Sequence, residues 1–223
     1  MNFKDKVFLI TGSTSGIGQG IAKVLLEEGA KVVINYAHNE ANAKETKELL
    51  KEYQDRTLFI KADISNEKNV IDMYKKIEEK FNKLDGLVNN AVYDKIFAIE
   101  ELSVEEYRKE LDANVIARWM CIKYAIPLLK KSNMPRIINI ASRLGTKPME
   151  DSVAYCTSEA ATIMLTQCCA LELTKKYNIK TNTVSPSMTL TPFAKKSYTE
   201  DEIKQTAMKN PSSRLGEVED TVN

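Results

Sequence analysis

Tyr155, in the second half of the chain, is a residue type that can transfer a proton at an oxygen atom, and other polar side chains precede it. Ser142 precedes Tyr155 by 13 residues, and Asn114 lies upstream of both. A tyrosine acts as a general acid or base near neutrality only if its pKa, about 10 when unperturbed, is lowered. Glu159 follows Tyr155 by four residues, so on a helix the two side chains share one face. A carboxylate there raises the pKa of the phenol and opposes proton transfer.

The stretch TGSTSGIG has the composition of an anion-binding turn. It places Gly12, Gly16 and Gly18 after a predicted strand and at the start of a predicted helix. Glycines allow positive φ and a close approach of backbone N–H groups to an anion. The helix N-terminus adds unpaired donors and the positive end of a dipole, which suits a pyrophosphate. The pattern predicts dinucleotide binding, with a turn that holds no ligand as the alternative.

The end of the second predicted strand indicates which dinucleotide binds. It reads INYAHN and lacks the carboxylate that often bonds the ribose 2′-hydroxyl of NAD. A 2′-phosphate would not be repelled there, although no arginine is adjacent to clamp it. His38 could contribute, or could be an exposed loop histidine. We therefore favour NADP and keep NAD as the alternative.

Short apolar runs alternate with longer segments of helical periodicity. The predicted strands are Val7–Thr11, Lys31–Asn35, Thr57–Ala62, Gly86–Asn89, Arg136–Ala141 and Lys180–Val184. The predicted helices begin at Gly16, near Ser65, at Ser103 and near Ser152, and the third runs to about Pro127. Compact apolar runs are typical of parallel strands covered on both faces. The order predicts one α/β domain over residues 1–223 with a doubly wound parallel sheet.

Six motifs in order resemble those of the short-chain dehydrogenase/reductase family. They are TGSTSGIG, ADIS with Asp63, NNAV from Asn89, LDANVIA with Asn114, the Ser142–Tyr155 pair, and NTVSPSMTLTP with Thr191. The resemblance runs from Lys6 to about Asp220 and implies a Rossmann-like fold. It also implies hydride transfer between NAD(P) and a small carbonyl or alcohol substrate. The INYAHNE stretch looks most similar to the 3-oxoacyl-carrier-protein reductase and sugar-alcohol dehydrogenase branch.

The resemblance also implies which residues form the site. Those expected to bind the dinucleotide are Gly12, Ser15, Gly16, Ile17, Gly18, Asn35, Asp63, Ile64, Asn90, Ala91, Pro186 and Thr191. Those expected in catalysis are Ser142, Tyr155, Asn114 and, at the position of the family's lysine, Glu159. In the family that lysine lowers the pKa of the tyrosine and holds the nicotinamide ribose. Segments expected to line the substrate pocket contribute Tyr93, Arg143, Leu144, Met149, Met188 and Phe193.

Three residues depart from the family pattern, all on the nicotinamide side. Glu159 replaces the lysine, and Val92 and Ser187 replace glycines. The last two add side chains where backbone usually approaches the cofactor, and valine is poorly suited to positive φ. We expect the dinucleotide to bind and proton transfer to suffer. A non-catalytic dinucleotide-binding sensor or scaffold is the alternative, and a clipped relic that binds nothing is a third.

The surroundings of Glu159 stay open at this point. It could accept hydrogen bonds from ribose hydroxyls, or lie in solvent without a role. Arg118, one turn after Asn114, could pair with it across neighbouring helices, although a surface arginine is the commoner outcome.

The composition limits which partners and ligands we expect the protein to bind. The 32 basic and 31 acidic residues give a net charge of +1, so no electrostatic case exists for nucleic acid or an anionic membrane. The four cysteines lack metal-ligand spacing, so we predict no metal site. Without a secretory signal or a long apolar run, we expect a cytoplasmic protein, with a homo-oligomer left open. Family members usually continue beyond SSRLGEVEDTVN with another helix and a last strand, which we expect to be missing.

Overall fold

Six strands form one parallel sheet in this computed structural model, which describes residues 3–222 apart from the side chain of Ser197. The strands are β1 (Val7–Ile10), β2 (Lys31–Tyr36), β3 (Thr57–Lys61), β4 (Gly86–Asn89), β5 (Arg136–Ile140) and β6 (Lys180–Val184). Their order in space is β3-β2-β1-β4-β5-β6, and each neighbouring pair is parallel. The predicted doubly wound parallel sheet is confirmed, and all six predicted strands match within about one residue.

Helices cover both faces of the sheet. They are α1 (Gly16–Glu27), α2 (Glu40–Leu49), α3 (Glu67–Phe81), α4 (Val104–Leu111), α5 (Ala117–Leu129), α6 (Val153–Tyr177), α7 (Pro192–Ser197), α8 (Glu200–Lys209) and α9 (Val218–Val222). Successive strand residues point to opposite faces, so Leu9 packs with α3, α5 and α6 while Ile10 packs with α1. Val33 and Ile34 divide in the same way. The compact apolar runs therefore follow from burial of the strands on both sides.

Helices α4 and α5 form one rod interrupted by a π-helical turn, Asp112–Ile116. Ser103 begins the rod by accepting a hydrogen bond from the Glu106 amide at 3.1 Å, as the spacing predicts. The rod continues two residues past Pro127, which confirms the predicted length. Asn114 lies in this π turn, and the turn contacts α6. Single π turns inside α-helices are frequent at functional sites.

The sequence pattern missed several helices. Helix α2 carries only Ala43 and Thr46 as buried residues, too few to produce a recognisable apolar stripe. Helix α8 has no buried residue. Helix α3 begins at Glu67 with Asn66 as its cap, two residues later than expected. The helix predicted within SSRLGEVEDTVN is α9, which packs against α1.

Strand β6 is the outer strand of the sheet among residues 3–222. Within that same range, no helix combines the length and the apolar character that crossing a membrane would need.

Candidate active site

The glycine-rich loop between β1 and α1 adopts the conformation that its sequence predicts. Gly12 and Gly16 have φ of 62° and 54°, a region that side chains with Cβ rarely adopt. A Cβ on Gly18 would lie 2.5 Å from Asn90 Nδ2 and 2.7 Å from the Gly12 carbonyl oxygen. Only glycine fits there, and the loop keeps its backbone open towards the carboxyl ends of the strands. This is a cradle of the kind that holds a pyrophosphate.

Two amide side chains, the buried Asn35 and the half-buried Asn90, brace this loop. Asn35 Nδ2 donates to the Ala62 carbonyl oxygen at 2.9 Å, and Asn35 Oδ1 accepts from the Gly12 amide at 3.4 Å. Asn90 Nδ2 donates to the carbonyl oxygens of Thr11 at 3.0 Å and Gly12 at 3.1 Å. The ends of four neighbouring strands, β1 to β4, are thereby held in register around the loop.

A single cavity of about 1030 Å³ runs along the carboxyl ends of the strands from this loop to Tyr155. The predicted dinucleotide residues that line it are Gly12, Ser15, Gly16, Ile17, Asn35, Asp63, Ile64, Asn90, Ala91, Pro186 and Thr191. Ser142 and Tyr155 line the same cavity, and so do the predicted pocket residues Tyr93, Arg143, Leu144, Met149, Met188 and Phe193. The structure therefore brings these predicted residues together in one elongated site, with the glycine-rich loop partway along it and the two hydroxyl groups towards one end.

Three predicted site residues lie behind the wall of this cavity. Gly18 packs beneath Asn90, as described above. Asn114 is buried, and its side chain accepts from the Tyr93 amide at 2.8 Å and donates to the Tyr93 carbonyl at 2.7 Å. Asn114 therefore positions the loop after β4 through its side chain. Glu159 is buried, and it is not among the described residues that line the cavity.

Val92 and Ser187 line the cavity without backbone strain. Non-glycine residues with positive φ among the described residues are Asp5, Asn82, Asp151, Asn178 and Ser213. The expectation that valine would be forced into an unsuitable backbone conformation is therefore wrong. Val92 lies at the cavity wall, with 48% of the residue exposed.

Ser142 and Tyr155 reach the cavity from two adjacent elements. Ser142 follows β5, and its Oγ accepts a hydrogen bond from the Leu144 amide at 3.1 Å. Tyr155 lies in the first turn of α6, where the Phe97 amide donates to the Asp151 carbonyl at 2.8 Å and ties the loop after β4 to the helix start. The Ser142 hydroxyl is close enough to the phenol to lower the pKa of Tyr155.

The pKa of Tyr155 is nevertheless raised above its ordinary value. Burial is the largest cause, the Glu159 carboxylate is the next, and Asp94 adds to it. Ser142 and Arg118 oppose the shift. The predicted direction of the effect of Glu159 is confirmed, but burial of the phenol contributes more than the carboxylate does.

Glu159 forms a buried ion pair with Arg118 of α5. Arg118 Nη1 donates to Glu159 Oε1 at 2.8 Å, and each side chain is 1% exposed. Of the alternatives left open by the sequence, the structure shows the pairing with Arg118, while the solvated glutamate and the surface arginine are wrong. Burial raises the pKa of Glu159, while the charge and hydrogen bond of Arg118 act in the opposite direction.

Two carboxyl groups near this pair were not foreseen. Asp94 lines the cavity, and burial raises its pKa to about 6 with a further contribution from Glu159. Glu110 is buried behind it, and burial together with the neighbouring carboxylates raises its pKa to about 8. In sequence both resemble ordinary surface acids, so only the burial seen in the structure identifies them. Within residues 3–222, no three His, Cys, Asp or Glu side chains are arranged to hold a metal ion.

Comparisons with known proteins identify the family of this chain. The short chain dehydrogenase family model matches residues 6–202. An uncharacterized oxidoreductase of Thermotoga maritima is 37% identical over 225 residues, covering 99% of this chain and 88% of the relative. The 2,5-dichloro-2,5-cyclohexadiene-1,4-diol dehydrogenase LinX of Sphingobium indicum is 34% identical, covering 98% of this chain and 86% of the relative. The solved structure of ElxO with NADP bound has a TM-score of 0.89 at 28% identity, covering 98% of this chain and 88% of that one.

The parallel α/β sheet, with a cavity along the carboxyl ends of its strands, is the architecture of a dinucleotide-binding fold. The chain belongs to the short-chain dehydrogenase/reductase family. It is an NAD(P)-dependent enzyme of that family, which acts on small molecules.

Proposed function

We propose that this protein transfers hydride between NADP and a small carbonyl or alcohol substrate, with Tyr155 and Ser142 at the reacting oxygen. The observation that supports this most is the continuous cavity of about 1030 Å³ that joins the glycine-rich loop to both hydroxyl groups. A dinucleotide is an extended ligand with a phosphate in its middle, and this cavity has an anion cradle partway along its length.

The residues present fit such a cofactor. The amides of the glycine-rich loop and the first turn of α1 would bind the pyrophosphate, and Asp63 and Ile64 lie where an adenine would contact the ends of β2 and β3. Asn90, Ala91, Pro186 and Thr191 would hold the nicotinamide half. When bound, the cofactor supplies or accepts the hydride. A NADP-bound relative, ElxO, supports the same ligand here.

We favour NADP over NAD because of the residues at the end of β2. Tyr36, Ala37 and His38 carry no carboxylate that would repel a 2′-phosphate. His38 is exposed at the cavity and lies 3.6 Å from Asp63 through its Nε2 atom.

At the other end of the cavity, three side chains would have separate roles in the reaction. Tyr155 would give its phenolic proton to the carbonyl oxygen in reduction and take a proton from the alcohol in oxidation. Ser142 would hold the same oxygen by a hydrogen bond. Asn114 would keep the loop after β4 in place through its two hydrogen bonds to Tyr93.

Activity should be lower than in relatives with lysine at position 159. The raised pKa of Tyr155 disfavours the phenolate that alcohol oxidation needs. General acid–base catalysis typically contributes about 10²–10⁴-fold, and a share of that factor is lost here. The second candidate, a non-catalytic protein that binds the dinucleotide as a sensor or scaffold, is favoured by the same raised pKa.

Calorimetric titration with NADPH and NADH, followed by turnover assays, tests these proposals. We expect saturable binding, tighter for NADPH, and slow hydride transfer with at least one member of a panel of ketones, quinones and 3-oxoacyl thioesters. Binding without any turnover would favour the sensor or scaffold. An ordinary turnover number, about 10 s⁻¹, would exclude the sensor and the expected loss of activity. Absence of binding would contradict both candidates.

We further propose that the protein works as a homo-oligomer in the cytoplasm. Large apolar side chains are exposed on α5 and α6, among them Trp119 at 44%, Met164 at 56% and Leu171 at 78%. Exposed apolar side chains of this size favour contact with a second copy. Sedimentation equilibrium would measure the state, and a monomer at all concentrations would contradict it.

A further inference from the structure

Arg118 is a buried arginine at the wall of the ligand cavity. It lies on α5, with its side chain 1% exposed. Its Nη1 atom donates to Glu159 Oε1 at 2.8 Å and to Thr162 Oγ1 at 2.8 Å, while its Nε atom is buried without a protein partner. A guanidinium cannot lose its proton in a protein, so a full positive charge is fixed beside the nicotinamide half of the cavity.

The hydrogen bonds of Arg118 join α5 to α6 and to the π turn. Thr162, which accepts from Arg118, donates to the backbone carbonyl of Asn114 at 3.3 Å. Asn114 in turn holds Tyr93 and donates to Ser158 Oγ at 3.1 Å. The network therefore links the guanidinium to the turn that supports the cavity loop and to the helix that carries Tyr155.

Charged groups approach Tyr155 from three elements. Glu159 lies on the same helix, Asp94 on the loop after β4, and Arg118 on α5. Both carboxylates disfavour the ionised phenol, Arg118 favours it, and the Ser142 hydroxyl also favours it from the loop after β5. Without Arg118, two negative groups would act on Tyr155 with no cation to offset them.

We propose that Arg118 is a positioning residue of this site, which holds Glu159 in the interface between α5 and α6, away from the cavity, and supplies the positive charge that offsets the carboxylates around Tyr155. The first role stands on geometry alone, and the second rests on the proposed function. The source of the positive charge near Tyr155 thus differs from that in a protein with lysine at position 159. The cation comes from the neighbouring helix, and residue 159 anchors it.

Loss of the guanidinium would leave the Glu159 carboxylate buried without a counter-ion. Near neutrality the carboxylate would take up a proton, and at the alkaline pH where the phenol ionises it would stay charged and turn towards the cavity, where water is available. Either response disturbs the helix that carries Tyr155. The apparent affinity for the dinucleotide falls in proportion to the share of molecules in which the site is correctly formed.

The test compares Arg118→Met, Arg118→Lys, Glu159→Gln and the double variant Arg118→Met/Glu159→Gln in the full chain. Arg136→Met is the matched control, since Arg136 is exposed at the opposite end of β5. Melting temperature and the calorimetric Kd for NADPH are measured for each. We expect Arg118→Met to lower the melting temperature and weaken NADPH binding by about tenfold, and the double variant to recover most of both losses. Arg118→Lys should fall between the wild type and Arg118→Met.

The pH dependence of alcohol oxidation tests the electrostatic role. Because the phenolate is the reactive form, Arg118→Met should move the rising limb of the profile to higher pH, and Arg118→Lys should leave it near its wild-type position. A purely structural role would lower the rate without moving the limb. An unmoved limb would overturn the electrostatic role. Additive losses in melting temperature and NADPH affinity would overturn the positioning role. Absence of turnover in the wild type contradicts the proposed function instead, and the melting and binding measurements still decide the pairing.

Discussion

Arg118 on α5 and Glu159 on α6 form an ion pair of 2.8 Å with both side chains 1% exposed. Buried pairs add little net stability, because the cost of desolvating two charges offsets their attraction. Removing one partner is different, since it leaves the other charge buried and uncompensated. Position 159 is therefore coupled to position 118, and replacing Glu159 with the residue common in the family cannot be a neutral change.

The first prediction concerns that replacement. Glu159→Lys places an ammonium group next to the buried Arg118 guanidinium and removes the carboxylate that neutralised it. We expect the free energy of unfolding to fall by about 3–5 kcal/mol, measured by urea denaturation. Turnover should not rise, although the lysine is what the family pattern contains.

The matched variant is Arg118→Met/Glu159→Lys, which leaves a single cation in the same space. It should recover most of the lost stability relative to Glu159→Lys, because the repulsion between two buried cations is gone. A single Glu159→Lys variant that unfolds at the same urea concentration as the wild type would contradict the coupling.

Local sequence patterns were sufficient to predict the strands of the sheet and most of the residues that line the cavity. Each strand is a short apolar run that can be recognised as buried from its own residues alone. The glycines of TGSTSGIG mark a turn with positive φ, which other residues rarely adopt. Helix α2 was missed because its buried residues are Ala43 and Thr46, and the packing of these small side chains is invisible in a hydropathy pattern.

The electrostatic part of the site was harder to predict. Arg118 and Glu159 are 41 residues apart in sequence, and their contact depends on how α5 packs against α6. The same is true of Asp94 and Glu110, whose raised pKa values come from burial. Charged residues are usually exposed, so sequence alone favours the wrong environment for all four.

The second prediction concerns Tyr155. Tyr155→Phe removes the phenolic hydroxyl and keeps the ring, so turnover should fall by about 10²–10⁴-fold while NADPH affinity changes little. Tyr177→Phe, at the partly exposed end of the same helix, is the control and should be neutral. Steady-state kinetics and calorimetry measure the two effects. Equal turnover in Tyr155→Phe and the wild type would remove Tyr155 from the reaction.

The third prediction concerns the phosphate cradle. In Gly18→Ala the new Cβ would lie 2.5 Å from Asn90 Nδ2 and 2.7 Å from the Gly12 carbonyl, so the loop must shift. We expect a loss of about 1–3 kcal/mol in stability and at least tenfold weaker NADPH binding by calorimetry. Gly216→Ala is the control, because its nearest contact would be 3.3 Å. If Gly18→Ala binds NADPH as tightly as Gly216→Ala does, the cradle does not hold the cofactor.

The last prediction concerns Glu110, whose pKa is raised from 4.5 to about 8, mainly by burial. The folded state binds this proton more tightly than the unfolded state, so stability from Glu110 is complete below about pH 4.5 and is lost as pH rises through about 8. Between about pH 6 and pH 9, we expect urea denaturation to show the wild type losing about 2–3 kcal/mol more than Glu110→Gln. Glu105→Gln, exposed on the same helix, should follow the wild type. Parallel pH profiles for the wild type and Glu110→Gln would show that Glu110 is already ionised in the folded protein.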